Sequence, residues 1–146
     1  MSSELKSRLQ ADLIEARKSR DKLRTLVLST TLADLQYKEI DAQGEADDDM
    51  VIAVVSTAIK RRKDASTQMR EGGRPELADK ESAEAEILAA YLPEGLTEDE
   101  VRAMIREIME GGADQFGAVM GAVMGRIRGR FDGKEANRLV REALES

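Results

Sequence analysis

The sequence predicts an all-α protein, with an N-terminal helical bundle over residues 1–93 and a small three-helix C-terminal domain over residues 97–146. Three observations carry that reading. Apolar residues recur at helical spacing along the whole chain, and no stretch alternates as a half-buried strand would. Only two prolines occur in 146 residues, Pro75 and Pro93, and both stand where a helix starts or stops. Paired glycines at 72–73 and 111–112, and polar capping signals at Thr97 and Asp132, punctuate the apolar stripes.

The elements follow in order. Leu5, Leu9, Leu13 and Ala16 form one stripe, and Leu23, Leu26, Val27, Leu32 and Leu35 a second apolar run. These give one long helix, or two joined near Ser19–Asp21, ending before Gly44. The acidic triplet Asp47-Asp48-Asp49 reads as a helix start, because carboxylates favour the positive end of the helix dipole. The helix it opens carries Val51, Val54, Val55, Ala58, Ile59 and Met69 on one face and stops at Gly72-Gly73. Pro75 suits the first turn of the next helix, which carries Leu77, Ala85, Leu88, Tyr91 and Leu92 and ends at Pro93.

Leu92-Pro-Glu-Gly-Leu96 is the domain boundary. Thr97 and Glu100 then form a capping box, and Val101, Met104, Ile105 and Ile108 the buried face of the helix behind it. Phe116, Val119, Met120, Val123, Met124 and Ile127 make the next stripe. Gly129 is placed just past its end. Asp132-Gly-Lys-Glu135 reads as a second capping box, opening a helix whose core is Ala136, Leu139, Val140, Ala143 and Leu144.

Composition removes several chemistries. The chain has no His and no Cys, so there is no imidazole base, no Cys–His dyad, no disulfide and no zinc site of the nitrogen–sulfur kind. Carboxylates leave a hard-cation site open, but Asp47-Asp48-Asp49 lacks the glycine and distal glutamate of a calcium loop, so neither metal nor cofactor is expected. No run of about 18 apolar residues could span a membrane, and the N-terminus lacks the apolar core of a signal peptide. The expectation is a cytoplasmic protein with no membrane partner. A net charge of -6 argues against indiscriminate nucleic-acid binding but not against a local basic site.

Charged residues on apolar stripes point to buried ion pairing. Arg62 lies on the Val51/Val55/Ile59 face, and Glu81 and Glu84 on the Leu77/Leu88/Tyr91 face. If Gly72-Gly73 closes an antiparallel hairpin, Arg62 comes level with Glu84 and one turn from Glu81. A structural ion pair of Arg62 with Glu84 and Glu81 is therefore expected. The alternatives are an anion patch at Lys60-Arg61-Arg62-Lys63 and a general acid–base role for the two carboxylates. Asp64 damps the first, and no nucleophile signature accompanies the second.

The stretch 116–141 departs furthest from a plain bundle. Gly117, Gly121 and Gly125 recur every fourth residue, although each costs about 1 kcal/mol relative to alanine inside a helix. Two readings compensate for that cost. The first is a close helix crossing, within the bundle, against the N-terminal domain or in a homodimer. The second is a smooth groove where a phosphate backbone or a partner helix reaches the main chain. Arg126, Arg128, Arg130 and Lys134 crowd the turn that follows, and Asn137 and Arg138 sit on the first turns of the last helix. From Asp114 to Arg141 there are six basic and three acidic residues. Arginine forks suit phosphate oxygens, so Arg126, Arg128, Arg130, Lys134, Asn137 and Arg138 are the candidate nucleic-acid contacts, with Gly117, Gly121 and Gly125 as close-contact glycines. Met104, Met109, Met120 and Met124 read as core at helical spacing, rather than as an adaptable groove.

Gly117-Ala-Val-Met-Gly121 and Arg128-Gly-Arg-Phe-Asp-Gly-Lys134, followed by Asn137 and Val140, resemble the GatB/YqeY family. The resemblance continues through Arg61-Arg-Lys-Asp64, Gly72-Gly-Arg74, Leu77-Ala-Asp-Lys-Glu81, Glu84-Ala-Glu-Ile87 and Tyr91-Leu-Pro93. It extends back to Leu5-Lys-Ser-Arg-Leu9 and Arg20-Asp-Lys-Leu-Arg24, and the length matches the stand-alone YqeY type. The resemblance implies a helical bundle followed by a small helical domain. That domain is similar to the C-terminal tail of the GatB component of the aspartyl/glutamyl-tRNA amidotransferase, where it is associated with tRNA recognition. It implies tRNA or other RNA as partner, and tRNA-charging or amidotransferase proteins as further partners. It also carries an amidotransferase label, carbon–nitrogen ligase with glutamine as amido donor, for which these residues supply no catalytic group. Relatives commonly have Lys at the position of Ala118 and Pro at that of Gly125. The expectation is a non-catalytic RNA-binding accessory protein, with a protein-interaction module and an amide-transfer enzyme as the competing readings.

Overall fold

The computed structural model describes residues 3–146, and every element among them is helical: α1 (Glu4–Lys18), α2 (Lys22–Ala42), α3 (Asp48–Glu71), α4 (Pro75–Ala89), α5 (Glu98–Glu110), α6 (Phe116–Ile127) and α7 (Gly133–Glu145). The chain divides into two compact units, one ending at Leu92 and the other running from Pro93 to Ser146.

Helices α1–α4 build the first unit around Leu9, Val27, Leu28, Leu35, Val51, Val55 and Leu88, all buried. The first two apolar stripes belong to separate helices. Arg20 takes a left-handed φ of 60° between them, and the Asp21 carboxylate accepts from the Arg24 amide to start α2. Leu26, expected within the apolar run, is about half exposed, because the buried face of α2 is Val27, Leu28, Thr31 and Leu35. Asp47 caps α3 by accepting from the Met50 amide, with Asp48 and Asp49 in the first turn where the dipole favours them.

Helices α3 and α4 form an antiparallel hairpin. Gly73, at φ 77°, supplies the left-handed turn, the Arg74 amide donates to Met69 O at 2.8 Å, and Pro75 opens α4. The helices approach closely where α4 presents Ala78 rather than Leu77. Ser66 Oγ donates to Ala78 O at 2.8 Å and lies 2.8 Å from Ser82 Oγ. Leu77, expected in the core, is 44% exposed in consequence. Helix α4 also ends at Ala89, short of Pro93, so Tyr91 and Leu92 reach the core from the turn that follows rather than from the helix.

Helices α5–α7 build the second unit around Val101, Ile105, Val119, Val123, Ile127, Ala136, Leu139 and Val140. Burying such side chains is worth about 1.5–3 kcal/mol each, which offsets the low helix propensity of α6. The α5 capping box is complete: Thr97 Oγ1 accepts from the Glu100 amide at 3.1 Å, and Glu100 Oε1 accepts from the Thr97 amide at 3.2 Å. The expected box on α7 is not formed. Asp132 accepts instead from the Lys134 amide, one residue earlier, and Glu135 is held by Arg138. Met104, Met109 and Met120 pack partly buried against this core, and Met124 is more exposed than expected of a core residue, at 37%. Among the described residues no helix is long and apolar enough to cross a membrane.

Candidate functional site

The turn between α6 and α7 is fixed by the backbone first. Arg128 (φ -53°, ψ 122°) and Gly129 (φ 73°) occupy the two central positions of a type II turn, closed by the Arg130 amide donating to Ile127 O at 2.7 Å. Only glycine takes the second of these positions without strain. Arg130 then binds the start of its own unit: its carbonyl accepts from the Leu96 amide at 2.8 Å, and its Nε donates to Glu94 O at 2.9 Å. That side chain is a structural clamp. A Cβ added at Gly95 would sit 3.5 Å from Arg130 O, an ordinary van der Waals contact, so the clamp does not itself demand glycine there.

The basic residues around this turn do not converge on one point. Arg126 lies 3.4 Å from Glu107 Oε2 of α5. Arg138 is the hub of a surface network, with Nη2 2.8 Å from Glu135 Oε2 and 3.2 Å from Glu98 Oε1, and Nη1 2.7 Å from Glu142 Oε1. Arg102 joins the same network through Glu98 at 2.8 Å and Glu142 at 3.1 Å. Donating to Glu135, Glu142 and Glu98 pushes the Arg138 guanidinium further up, and accepting from Arg102 and Arg138 holds the Glu98 and Glu142 carboxyls below their usual range. Asn137 Oδ1 accepts from Arg141 Nε at 2.7 Å, and the Arg141 guanidinium stacks over Phe116 with its Cζ 5.0 Å from the ring centroid. Arg128 and Lys134 are exposed.

One expectation changes here. The basic excess between Asp114 and Arg141 is largely compensated, because Glu98, Glu107 and Glu142 close on it, two of them from α5 and one from the end of α7. At the start of α7, Asp132 places a carboxylate against the amide of Lys134.

The glycine strip is open. A Cβ added at Gly117, Gly121 or Gly125 would meet nothing within 4 Å, so packing within the unit does not account for these glycines. With Ala118 and Ala122 also exposed, the outer side of α6 is a surface of bare main chain, bordered by Met124 and Arg126. At Gly133 an added Cβ would make only an ordinary contact, with Met124 Cε at 3.7 Å.

In the first unit the structure brings Arg62 to Glu84. Arg62 Nε lies 3.4 Å from Glu84 Oε2, and both side chains are largely buried. That nitrogen is nevertheless without a hydrogen bond, so the contact is Coulombic rather than an aligned fork. The same guanidinium donates through Nη1 to Ala58 O at 3.2 Å. Burial, and then the neighbouring Glu84 carboxylate, raise the Glu81 carboxyl above its usual range, against the lowering pull of Arg62. Arg62 thus pairs with Glu84, and its charge is felt at Glu81.

A groove of about 540 Å³ between α2 and α3 was not foreseen; Tyr37, Lys38, Met50, Val54 and Arg61 are among the residues that line it. Tyr37 is 70% exposed there. Its apolar spacing reads as an ordinary helix face, and no sequence signal separates it from one. Among the described residues no group of three or more acidic side chains is placed to hold a metal ion.

Comparison with known proteins bears on the whole chain. Residues 6–144 match the family model described as Yqey-like protein. A protein of Lachancea thermotolerans named altered inheritance of mitochondria protein 41, mitochondrial, is 34% identical over 85 residues, which is 58% of this chain and 46% of that protein. The protein of the same name from Vanderwaltozyma polyspora is 31% identical over 85 residues, again 58% of this chain and 46% of the relative. An uncharacterized protein of Schizosaccharomyces pombe is 31% identical over 90 residues, covering 62% of this chain and 73% of that one. The chain spans less than half the length of the two mitochondrial-inheritance proteins it matches.

Proposed function

The chain belongs to the Yqey-like protein family, and on that premise we propose that it is a non-catalytic RNA-binding accessory protein, with tRNA the favoured class. On this reading the unit ending at Leu92 is the helical bundle, and the unit from Pro93 is a domain of the amidotransferase-tail type that makes the RNA contact. The observation that carries it is the open side of α6. Gly117, Gly121 and Gly125 leave the main chain uncovered beside Arg126, at the end of the helix that leads into the turn with exposed Arg128 and Lys134. A sugar–phosphate backbone can approach such a surface closely, and exposed cations beside it supply salt-sensitive attraction.

The residues of this contact are a subset of those expected. Arg130 clamps Glu94 and Arg138 is the hub of three carboxylates, whereas Arg126 meets the single carboxylate of Glu107 at 3.4 Å; on this reading the phosphate contacts fall to Arg126, Arg128 and Lys134, each exposed. Filter binding of bulk tRNA at low and moderate salt tests this. Wild type should retain tRNA at low salt and release it as salt rises, and Arg126→Ala/Lys134→Ala should retain several-fold less. No retention by wild type, or equal retention by the variant, would overturn the reading.

A second reading is favoured by the exposed Met124 on the border of the same strip. It is the docking of a partner helix, for instance from the tRNA-charging or amidotransferase machinery. A pull-down with Gly121→Leu, set beside the tRNA filter binding, tests it. The substitution should abolish capture of a protein partner while leaving helicity intact, because the added side chain meets open space in the free protein.

A further inference from the structure

Three distant segments of the first unit meet at Tyr91. The Arg8 guanidinium stacks on the Tyr91 ring, with Cζ 4.7 Å from the centroid, and Arg8 Nη2 donates to Ala90 O at 3.2 Å. At the other end of the ring, the Tyr91 hydroxyl donates to the Asp12 carboxylate and accepts from Arg24 Nη2 at 3.3 Å. The same Arg24 nitrogen lies 3.5 Å from Asp12 Oδ2. Tyr91 itself is buried, whereas Arg8 is exposed and the Arg24 side chain is 40% exposed. Arg8, Arg24 and Tyr91 come from three of the short motifs that the RNA reading leaves unused.

The charge balance here differs from that of the other arginine clusters. Arg62 faces two carboxylates, and Arg102 and Arg138 together face three. Around Tyr91, among the described residues, the groups in contact are two guanidiniums, Arg8 and Arg24, and the Asp12 carboxylate. The phenol stays neutral, since burial and then the bond to Asp12 push it up to about 12. The bonds named above use a single terminal nitrogen of each guanidinium, which leaves most of the five donors of each fork for another acceptor. Both forks are also held in place beforehand, Arg8 by the ring and the Ala90 carbonyl, Arg24 by the hydroxyl and Asp12. Ordering a free arginine on binding costs side-chain entropy, so a pre-ordered pair gains affinity for a multivalent oxyanion.

We propose that Arg8 and Arg24 form a phosphate-binding site on the first unit, buttressed by Tyr91 and balanced by Asp12. The ligand is a phosphate group, carried either by a small phosphorylated molecule or by an RNA backbone. The site is built from residues other than those of the α6 strip, and its existence does not depend on the RNA reading.

Titration calorimetry with pyrophosphate, beside tRNA filter binding, tests it on the full chain. The variants are Arg8→Gln/Arg24→Gln, the single Arg8→Gln as a milder change at an exposed position, and Asp12→Asn. Pyrophosphate binding by wild type that weakens by about tenfold or more in the double variant, weakens in the single one, and strengthens in Asp12→Asn supports a small phosphorylated ligand. No pyrophosphate binding, but lower tRNA retention in both arginine variants, supports the RNA backbone as the source. Pyrophosphate and tRNA binding that are both unchanged in Arg8→Gln, or absent from wild type, would overturn the site. Loss confined to Arg126→Ala/Lys134→Ala would overturn it while leaving the α6 reading standing.

Discussion

The two units use the same residue types, arginine and glutamate, in opposite ways. In the first, Arg62 is drawn into the α3–α4 interface against Glu84 and Glu81, where water is largely excluded and each partner depends on the other. In the second, Arg102 and Arg138 bridge α5 and α7 across the surface through Glu98 and Glu142, with every member open to solvent. Burial decides how much a charge pair matters. An exposed network is screened and replaceable by water, whereas a buried one that loses a member leaves an uncompensated charge. A count of ion pairs ranks the second unit as the more strongly bridged; the physics ranks the first as the more sensitive.

Three changes break or sharpen that contrast. The largest effect is expected from Arg62→Met, which leaves Glu84 and Glu81 without their cation and should cost about 3–5 kcal/mol. Urea unfolding followed by helicity checks it, and an unchanged or raised midpoint would refute the stabilising role. A smaller effect of opposite sign is expected from Glu81→Gln. The folded-state carboxyl is raised, so its protonated form favours the native state and its charge opposes folding as pH rises through the raised value. The neutral isostere should therefore raise the melting temperature at pH 7. The gain should fade on acidification as wild-type Glu81 takes up its proton, and vanish below the ordinary carboxyl range. Thermal melts of both proteins from about pH 7 down to about pH 4 give the two curves. The least effect is expected from Arg138→Gln, whose network is exposed. Its melting temperature at moderate salt should match wild type, and a marked drop would show that surface bridges between α5 and α7 carry the second unit after all.

The helices and most of their ends were legible in the sequence, because caps are local events. Thr97 with Glu100, the Asp47 start, the left-handed Gly73 and the turn at Gly129 all depend on residues within a few positions of one another. What could not be read depended on other neighbours. Glu135 fits the spacing of a capping box but is captured by Arg138, and the capping amide shifts to Lys134. Leu77 fits an apolar stripe, yet the close approach at Ala78 and Ser66 turns it outward. The Arg62–Glu84 approach was accessible because a tight hairpin fixes the register of its two arms. The partners of Arg126 and Arg138 were not, because nothing within residues 114–141 announces Glu98, Glu107 or Glu142. The glycine spacing of α6 was equally ambiguous, since packed and bare strips share one pattern.

That bare strip has a kinetic consequence. Three glycines in a 12-residue helix leave α6 with little tendency to form before its neighbours are in place, so Val119, Val123 and Ile127 must find α5 and α7 for the helix to persist. Its amide protons should then exchange whenever the helix loosens from α5 and α7, with the least protection on the glycine side, and its backbone signal should emerge late in refolding. Protection of α6 should in that sense report that the assembly of its unit is complete.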